Sequence, residues 1–508
     1  MQLTLNKHKY GELTKTAAQL LADSKSSPQV FKMGNRCVII TTAKPQSVKS
    51  FRHKKLLKED YPEQPIIQDL SEPLGLMRSR LEEECQFVNY KGAPELCPED
   101  ILKTIPYIYD INWRYLTGII EHPYYNDQFE LQQSQGYDEE TGLYSVLHPK
   151  LKVSLMPPQE AYDYLVNTVL DEFPFAEEID KVVAVSALMT AIQRPYISGE
   201  NGFPGYAVTS PRQSSGKTTL AKLISYSIFN RPIAATSWST DEEEMSKHLL
   251  SILMEGHNCV LFDDLEQGCE VKSNELSRIM TSDTYSKRVL GKNKTTTVST
   301  GVLWLMTGNN IKFLNDFATR ILQIRLMPPL ECPEERVFTR KDIANWALDN
   351  RKKIVSAVLS LVLHGKDLAN KTGKESRFKG WDSYVRLPLY DLTNIDILDA
   401  FQNNKADDED TQNIGALFHF LYEQFNEKSF KTSQIFSVFY ESFDGSVDES
   451  RLREAQMLVS AAFGEKALNS NQALGRKFSA VKDYIVNGLQ LKRIEVRSRI
   501  YEWRIVRV

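Results

Sequence analysis

Apolar and polar residues between 206 and 326 alternate in a pattern that predicts strands and helices in turn. Five short apolar runs have the length of buried strands: 206–209, 232–236, 258–262, 302–307 and 321–326. Segments with helical spacing of apolar residues separate them, and the clearest lies at 220–228. This alternation predicts an α/β fold in which crossover helices connect the strands of a parallel sheet.

The regions before and after this segment have patterns of their own. Residues 1–155 mix helical and β-rich runs and predict an α/β domain of unassigned role, with a turn-rich stretch at 136–144 that predicts a surface hairpin. Helical patterns at 161–173 and 182–192 lead into the central segment. Residues 331–402 are mainly helical, and an acidic stretch at 403–412 indicates a linker.

The last hundred residues have the order of elements of a winged helix. Helical runs at 414–425 and 432–439 precede a predicted helix over 471–486. Two predicted strands, 489–496 and 500–506, follow this helix. A helix followed by a two-stranded wing is a common way to dock on duplex DNA.

Basic side chains occupy the exposed positions of this predicted winged helix. Arg476, Lys477 and Lys482 lie on the polar face of the helix, and Arg497 and Arg499 lie at the turn of the wing. This pattern predicts contacts with duplex DNA. A protein-binding winged helix with a solvated basic face is the alternative.

Composition fits ordinary globular domains. The chain has 508 residues, of which 42% are hydrophobic and 25% charged, and this length suits about three or four domains. No stretch reaches the ~18 apolar residues of a membrane span, and the first residues lack a signal-peptide pattern. We therefore expect a cytoplasmic protein with no membrane partner. The six cysteines lack metal-ligand spacing, which predicts reduced thiols.

Charge is distributed unevenly along the chain. Residues 474–508 carry nine basic and three acidic side chains, a net charge of +6, although the whole chain has a net charge of -4. The remainder therefore carries -10. A locally cationic module of this kind can neutralise nucleic-acid phosphates.

A phosphate-binding loop is predicted between the first apolar strand and the helix that follows it. Its candidate ATP-binding residues are Pro211, Arg212, Gln213, Ser214, Ser215, Gly216, Lys217, Thr218 and Thr219. Backbone amides of such a loop cradle phosphates, the lysine adds charge and the threonine hydroxyl reaches Mg²⁺. Pro211 stands where the P-loop pattern has its first glycine, which alters the turn without removing its fixed φ. The expected cofactors are ATP and Mg²⁺.

Carboxylates follow the strand at 258–262. We expect Asp263 to hold Mg²⁺ with Thr218, and Asp264 to polarise the attacking water, with Glu266 as a second candidate base. An acidic turn after a buried strand is the alternative interpretation.

Two further predicted catalytic groups follow the last two strands of the sheet. Asn309 and Asn310 come at the end of the run at 302–307, where an amide can orient water against the γ-phosphate. Arg320 directly precedes the last strand and could reach ATP bound by a neighbouring subunit. The alternative for Arg320 is a surface residue paired with Asp316.

A hairpin is predicted between the carboxylates and the asparagines. Two β-prone runs flank a Gly-Lys-Asn-Lys turn that contains Lys292 and Lys294. In a ring of subunits these lysines would line a central channel and contact single-stranded DNA. Lysines in exposed turns are more commonly only solvated.

These motifs together resemble the AAA+ ATPase of phage, plasmid and integrative-element replication proteins, a family related to superfamily-three and MCM-type helicases. The motifs are GKT at 216–218, WSTDEEEMSK at 238–247, FDDLE at 262–266, RVLG at 288–291, TGNN at 307–310, the D-x-x-x-R-x-L-x-I-R-L string at 316–326 and W-x-x-x-V-R at 381–386. The likeness extends upstream to HPYY at 122–125 and GYDEETGLY at 136–144.

The resemblance implies a homo-oligomeric ring, hexameric in many relatives, that hydrolyses ATP between subunits and moves on DNA. Thr319 stands where many relatives have a second arginine, so Arg320 is the single arginine-finger candidate in that string. Priming would need a separate primase or polymerase, because the upstream region has no primase signature.

The resemblance also frames the expected domains. These are a mixed α/β N-terminal domain at 1–155, a P-loop AAA+ core at 156–330, a helical lid at 331–405 and a winged-helix-like DNA-binding domain at 411–508.

Three functional interpretations stay open on the sequence alone. The leading one is an ATP-driven DNA helicase or replication initiator of a mobile genetic element. A non-motor AAA+ switch that loads or regulates a DNA-bound partner is the second. A small-molecule P-loop kinase is the third, and it leaves the hairpin, the asparagines and the basic tail without a role.

Overall fold

The computed structural model describes most of the chain in two compact units. The described residues are 1–43, 64–149, 151–197, 202–211, 213–288, 295–328, 340, 342–368, 373–401, 409–432, 449–482, 485–497 and 500–507. The first unit comprises Met1–Ile311 and Arg320–Ala400, and the second comprises Lys312–Thr319 and Phe401–Val508.

A five-stranded parallel sheet forms the centre of the first unit. Its strands, labelled in chain order, are β1 (Gly205–Ser210), β2 (Ala234–Thr236), β3 (Cys259–Leu265), β4 (Leu303–Asn309) and β5 (Ile321–Arg325). They are arranged in the order β2-β3-β4-β1-β5. The predicted mixed α/β fold with a parallel sheet is confirmed, and β3 and β4 run further than the apolar runs that predicted them.

The position of β4 determines which residues meet at the edge of the sheet. Every residue of β1 and of β4 is buried, as expected for parallel strands covered on both faces. Ser210 is in register with Asn309, and Leu265 is in register with Gly308. The carboxyl ends of β1, β3 and β4 therefore lie side by side.

Helices cover the sheet and extend beyond it. The described helices of this part, including π-helical turns, are Pro158–Tyr164, Leu165–Val169, Glu178–Ile197, Lys217–Ile224, Ser225–Phe229, Glu242–Glu255, Asn274–Ile279, Ile343–His364, Lys379–Trp381, Asp382–Arg386 and Leu387–Thr393. A 3-10 turn spans Gly365–Asp367. Apolar side chains of Ile343–His364 are buried along most of its length.

The N-terminal part of the first unit is mixed α/β, as predicted. Its helices are Lys7–Lys9, Tyr10–Asp23, Leu74–Glu82, Glu99–Thr104 and Ile105–Tyr107. Its strands are Gln2–Thr4, Val30–Met33, Arg36–Ala43, Gln64–Asp69, Gln86–Val88, Gly118–Ile120, Tyr124–Tyr125, Leu131–Gln132, Gly136–Tyr137 and Leu143–Ser145. The last two pair antiparallel, which confirms the predicted hairpin. Its strand Leu143–Ser145 also pairs with Gly118–Ile120 and has buried residues, so the hairpin is not wholly at the surface as predicted.

Short elements connect the sheet strands to one another. They are Glu270–Val271, Thr284–Arg288 and Thr295–Ser299 in the first unit, and Lys312–Phe313 and Asn315–Ala318 in the second. The strands Thr284–Arg288 and Thr295–Ser299 pair antiparallel. The predicted hairpin is therefore confirmed, while its tip at 289–294 lies outside the described residues.

The rest of the second unit has helices followed by a three-stranded antiparallel sheet. The helices are Glu409–Phe425, Glu449–Phe463, Glu465–Asn469 and Asn471–Ala480. The strands are Ile485–Val486, Leu489–Arg497 and Ile500–Arg507. Phe430, Phe478 and Trp503 pack in its buried core, and the Phe478 and Trp503 rings are 5.4 Å apart.

Two boundaries differ from the prediction. The helix predicted to reach 486 ends at Ala480, because Asn487 and Gly488 adopt positive φ values of 50° and 74° and turn a short strand back onto Leu489. Asn-Gly is the preferred dipeptide for such a turn. The acidic linker is also shorter than predicted, since residues 409–412 are already helical. Residues 433–439, predicted to be helical, lie outside the described residues.

The sequence predicts no membrane-spanning segment, and the helices of the structure can be compared with that prediction. Among the described residues, no helix combines the length and the apolar composition needed to cross a membrane.

Candidate functional site

The loop after β1 turns sharply into the helix Lys217–Ile224. Ser214 and Gly216 have positive φ values of 54° and 95°, and Gly216 caps the helix in the left-handed conformation that glycine adopts at little cost. The first amides of a helix have no intrahelical acceptor and favour an anion. Pro211 is exposed at the start of this loop.

The loop forms one wall of a cleft with a volume of about 480 Å³ at the carboxyl edge of the sheet. The cleft is lined by Gln213, Ser214, Ser215, Gly216, Lys217, Thr218, Thr219, Asp263, Asp264, Thr307 and Asn309. Most of the predicted nucleotide-site residues therefore come together in one place, although they come from three separate parts of the chain.

Lys217 reaches across the cleft to the strand β4. It is buried, and its Nζ donates to Asn309 Oδ1 at 2.7 Å and to Ser215 Oγ at 3.3 Å. Burial lowers the pKa of Lys217, and the negative charges of Asp264 and Asp263 oppose that shift. The structure thus holds a cationic side chain beside the loop, with a neutral amide as one of its partners.

Asp263 accepts two hydroxyl hydrogen bonds on a single oxygen. The Thr218 hydroxyl donates to Asp263 Oδ1 at 2.9 Å, and the Thr307 hydroxyl donates to the same oxygen at 2.5 Å. A hydroxyl and a carboxylate oxygen at hydrogen-bond distance form an all-oxygen donor set of the kind that Mg²⁺ prefers. Thr218 and Asp263 therefore fit the predicted metal site.

Asp264 has an unusual backbone conformation for a residue with a side chain. Its φ is 56°, at a shift in the register between β3 and β4 that lies between Phe262 and Leu265. The Asp264 amide donates to the Thr307 hydroxyl at 2.9 Å. Left-handed backbone at a non-glycine residue costs free energy of the order of 1 kcal/mol and is concentrated at functional sites. Asp264 is one of the residues that line the cleft.

Thr307 is the site residue that the sequence analysis missed. Its hydroxyl accepts from the Asp264 amide and donates to the Asp263 carboxylate, so one side chain fixes both acidic residues. A usable signal was present, because Thr307 and Asn309 are two residues apart on one strand and so point to the same side of the sheet.

Gly308, between those two residues, is needed for close packing of the strands. A Cβ at this position would lie 2.9 Å from the Leu265 carbonyl oxygen and 2.6 Å from Ile311 Cδ1. Any larger residue would therefore separate β3 from β4 at the point where Asp263 and Asn309 are positioned.

Three predicted catalytic residues do not line the cleft. Glu266 and Asn310 are exposed, and Asn310 has a φ of 50°. Arg320 is partly buried just before β5, where its carbonyl oxygen accepts the Gly205 amide at 2.9 Å. Arg212 lies outside the described residues. The roles given to these four residues stay predictions.

The predicted DNA-binding residues are only partly described. Lys292, Lys294 and Arg499 lie outside the described residues, and the side chain of Arg497 is likewise not described. Arg476, Lys477 and Lys482 are exposed, whereas Leu474, Phe478 and Val481 of the same segment are buried. The predicted division of this segment into a packed face and a basic face is therefore present.

Comparison with known proteins gives structural matches only. No family model matches the chain, and no curated protein matches it. An apo A-form structure of the NrS-1 C-terminal region is 12% identical with a TM-score of 0.42, covering 94% of this chain and 96% of that one. A second apo A-form structure of that region has the same identity and TM-score, with 98% of each chain covered.

A third solved structure matches a smaller part of the chain. It is JCV helicase bound to a thiazolopyridine-phenoxyphenyl acetamide, 16% identical with a TM-score of 0.21, covering 42% of this chain and 63% of that one. The geometry of the cleft itself therefore carries the functional conclusion.

Proposed function

We propose that this protein is an ATP-hydrolysing DNA helicase or replication initiator of a mobile genetic element, built on an AAA+ core. The observation that carries the proposal is the convergence of Lys217, Thr218, Asp263 and Asn309 in one cleft beside a sharply turned loop. A lysine, a hydroxyl, a carboxylate and an amide in this arrangement match the needs of a nucleoside triphosphate and its Mg²⁺.

Binding of phosphate would exchange one partner of Lys217 for another. In the structure its ammonium group donates to Asn309 Oδ1. A phosphate oxygen is a stronger acceptor because it is charged. Lys217 therefore turns to the phosphate, and the Asn309 amide becomes available to orient a water molecule.

Thr218 and Asp263 are the residues that would hold the metal. When bound there, Mg²⁺ supplies positive charge to the phosphate oxygens. Thr307 keeps the Asp263 carboxylate oriented through its hydroxyl. Asp264, which lines the same cleft, is assigned as the base that accepts a proton from the attacking water, and Glu266 is the second candidate.

The proposal extends to assembly and to DNA. Arg320 would complete the site of a neighbouring subunit in a ring, taken as a hexamer. Lys292 and Lys294 would contact a single strand in the channel, and the basic face around Arg476 and Lys477 would contact duplex DNA. A separate primase or polymerase would supply priming.

Hydrolysis of ATP in the presence and absence of single-stranded DNA tests the proposal. Lys217→Ala should abolish ATP binding and hydrolysis, because it removes the cation of the loop. Lys222→Ala is the matched control, since Lys222 is exposed on the same helix, and it should hydrolyse ATP like the wild type. Equal hydrolysis by the Lys217→Ala protein would contradict the proposal.

A further inference from the structure

Two exposed tyrosines lie in the N-terminal region for which the sequence offers no role. Tyr107 and Tyr109 are 45% and 52% exposed. Tyr109 follows Tyr107 by two residues, and Ile108 between them has extended backbone. Burial raises the pKa of Tyr109, and the Tyr107 and Tyr115 phenols raise it further. Aromatic rings grouped at a protein surface are a typical stacking platform for nucleic-acid bases.

A buried lysine holds the Tyr109 ring in place. Lys32 Nζ lies 4.3 Å from the centre of that ring, and Lys32 itself is fully buried. Its ammonium group donates to the carbonyl oxygens of Pro106 and Ile108, the latter at 3.3 Å. The segment that carries both tyrosines is therefore anchored from beneath by a positive charge.

The Tyr109 side chain is connected to the hairpin before β4. Its hydroxyl donates to Asn35 Oδ1, and Asn35 Nδ2 donates to the Thr295 carbonyl oxygen at 3.0 Å. Thr295 is in register with Arg288, an exposed basic residue on the facing strand. Asn35 and Thr295 thus connect the Tyr109 ring to the hairpin strand that carries Arg288.

Close backbone packing reinforces this connection. Gly34 has a φ of 57°, and a Cβ there would lie 2.5 Å from the Thr297 carbonyl oxygen. Only glycine fits at this approach. The turn formed by Gly34 and Asn35 is therefore seated directly on the hairpin strand Thr295–Ser299.

Acidic groups limit the extent of the surface. Asp110 forms an ion pair with Lys15, which compensates its charge. Tyr115, in contrast, borders a cleft lined by Asp23, Glu139 and Glu140. Those carboxylates repel phosphates, so Tyr115 does not belong to a nucleic-acid surface.

We propose that Tyr107 and Tyr109 form a stacking platform for the bases of single-stranded DNA, with Arg288 contacting the backbone phosphates. The inference rests on the proposed function in one respect, namely that the hairpin is a DNA-contacting element. The N-terminal region thereby acquires a role, because it supplies the aromatic part of a site to which the hairpin supplies charge.

Fluorescence anisotropy with a labelled oligothymidylate tests the platform in the full chain. The double variant Tyr107→Ala with Tyr109→Ala should bind about tenfold more weakly or worse, since each lost base stack is worth about 1 to 3 kcal/mol. Tyr109→Phe keeps the ring and should bind like the wild type, and Tyr115→Ala is the matched control that should also do so. Wild-type affinity in the double variant would overturn the proposal.

Two further measurements accompany the anisotropy experiment, one that needs no variant and one that measures ATP hydrolysis. Photocrosslinking of wild-type protein to an oligonucleotide containing 5-iodouracil should give adducts at Tyr107 or Tyr109, and adducts confined to other regions would overturn the proposal without any variant. ATP hydrolysis without DNA should be unchanged in the double variant. Hydrolysis that does not depend on Lys217 would contradict the proposed function, whereas tyrosine-dependent binding would still support the platform.

Discussion

The hydrogen bond between Lys217 and Asn309 makes the choice of an amide at position 309 significant. The two side chains are 2.7 Å apart and both are buried. The neutral Asn309 amide binds Lys217 weakly enough for a phosphate to replace it as the acceptor. A carboxylate at this position would compete with the phosphate for the lysine.

Asn309→Asp should therefore weaken ATP binding. A carboxylate in place of the amide pairs with Lys217, and a hydrogen bond between charged groups is worth about 1.5 to 3 kcal/mol. We expect the Kd for ATP to rise about tenfold or more, measured by equilibrium binding of a fluorescent ATP analogue. Asn309→Ala is the control, because it should keep ATP affinity while losing hydrolysis. Equal ATP affinity of the Asp variant and the wild type would contradict this role of Asn309.

A second prediction concerns the hydroxyl group of Thr307. Thr307→Val removes the donor to Asp263 and leaves the Asp264 amide without its acceptor, a loss of about 1 to 3 kcal/mol. We expect a fall in kcat of about tenfold or more and a higher Mg²⁺ requirement. Thr307→Ser keeps the hydroxyl and should restore both, so a serine variant as impaired as the valine variant would show that the hydroxyl is not the cause.

Some features of this site could be predicted from the sequence and others could not. The convergence of Lys217, Thr218 and Asp263 in one cleft could be predicted, because a loop of this pattern before a helix and a strand that ends in carboxylates are local patterns. The left-handed backbone at Asp264 could not, since it arises from the shifted register between two strands distant in sequence. The position of Thr307, two residues before Asn309 on one strand, was a usable signal, but its contacts with Asp263 and Asp264 form only when β3 and β4 lie side by side.

Among the elements, buried parallel strands were the easiest to predict. The strands β1 and β4 are buried along their whole length, because both of their faces are covered, whereas the edge strand β2 is partly exposed. The helix predicted over 471–486 was wrong at its end, since helical spacing of apolar residues continues past Ala480 to Ile485, whereas Ile485–Val486 is a strand that leads into the turn at Asn487 and Gly488. A turn signal of that strength outweighs a periodic pattern over its last few residues.

Another prediction concerns the basic side chains on the helix Asn471–Ala480 and at Lys482 just after it. Replacing Arg476, Lys477 and Lys482 by alanine should weaken duplex DNA binding and make it less sensitive to salt, because each phosphate contact releases counterions. Affinity measured over a range of salt concentrations gives the slope, which should fall in magnitude by about two to three. Alanine at Lys428, Lys431 and Lys466, three exposed lysines of the same unit, is the charge-matched control. Equal slopes in both triple variants would favour a winged helix that binds protein.

At the scale of the whole molecule, the proposed function needs more than one subunit at each ATP site. Arg320 does not line the cleft of its own chain, and the proposed function assigns it to the site of a neighbouring subunit. Arg320→Ala should bind ATP but lose hydrolysis in the assembled protein.

Mixing two inactive variants tests this action between subunits. A Lys217→Ala subunit still provides Arg320, and an Arg320→Ala subunit still provides an intact loop. Their mixture should regain part of the ATPase activity that each lacks alone, measured after subunit exchange. A mixture that stays as inactive as its components would place Arg320 outside the neighbouring site.

Strand displacement on a forked DNA duplex measures the proposed motor activity itself. The full chain is compared with Lys217→Ala and Lys222→Ala at protein concentrations that permit assembly, on forks of both polarities. We expect ATP to drive separation of the strands by the wild type and by Lys222→Ala, and we expect no separation by Lys217→Ala. DNA-stimulated ATP hydrolysis without strand separation on any fork would contradict the motor and indicate a loader or regulator.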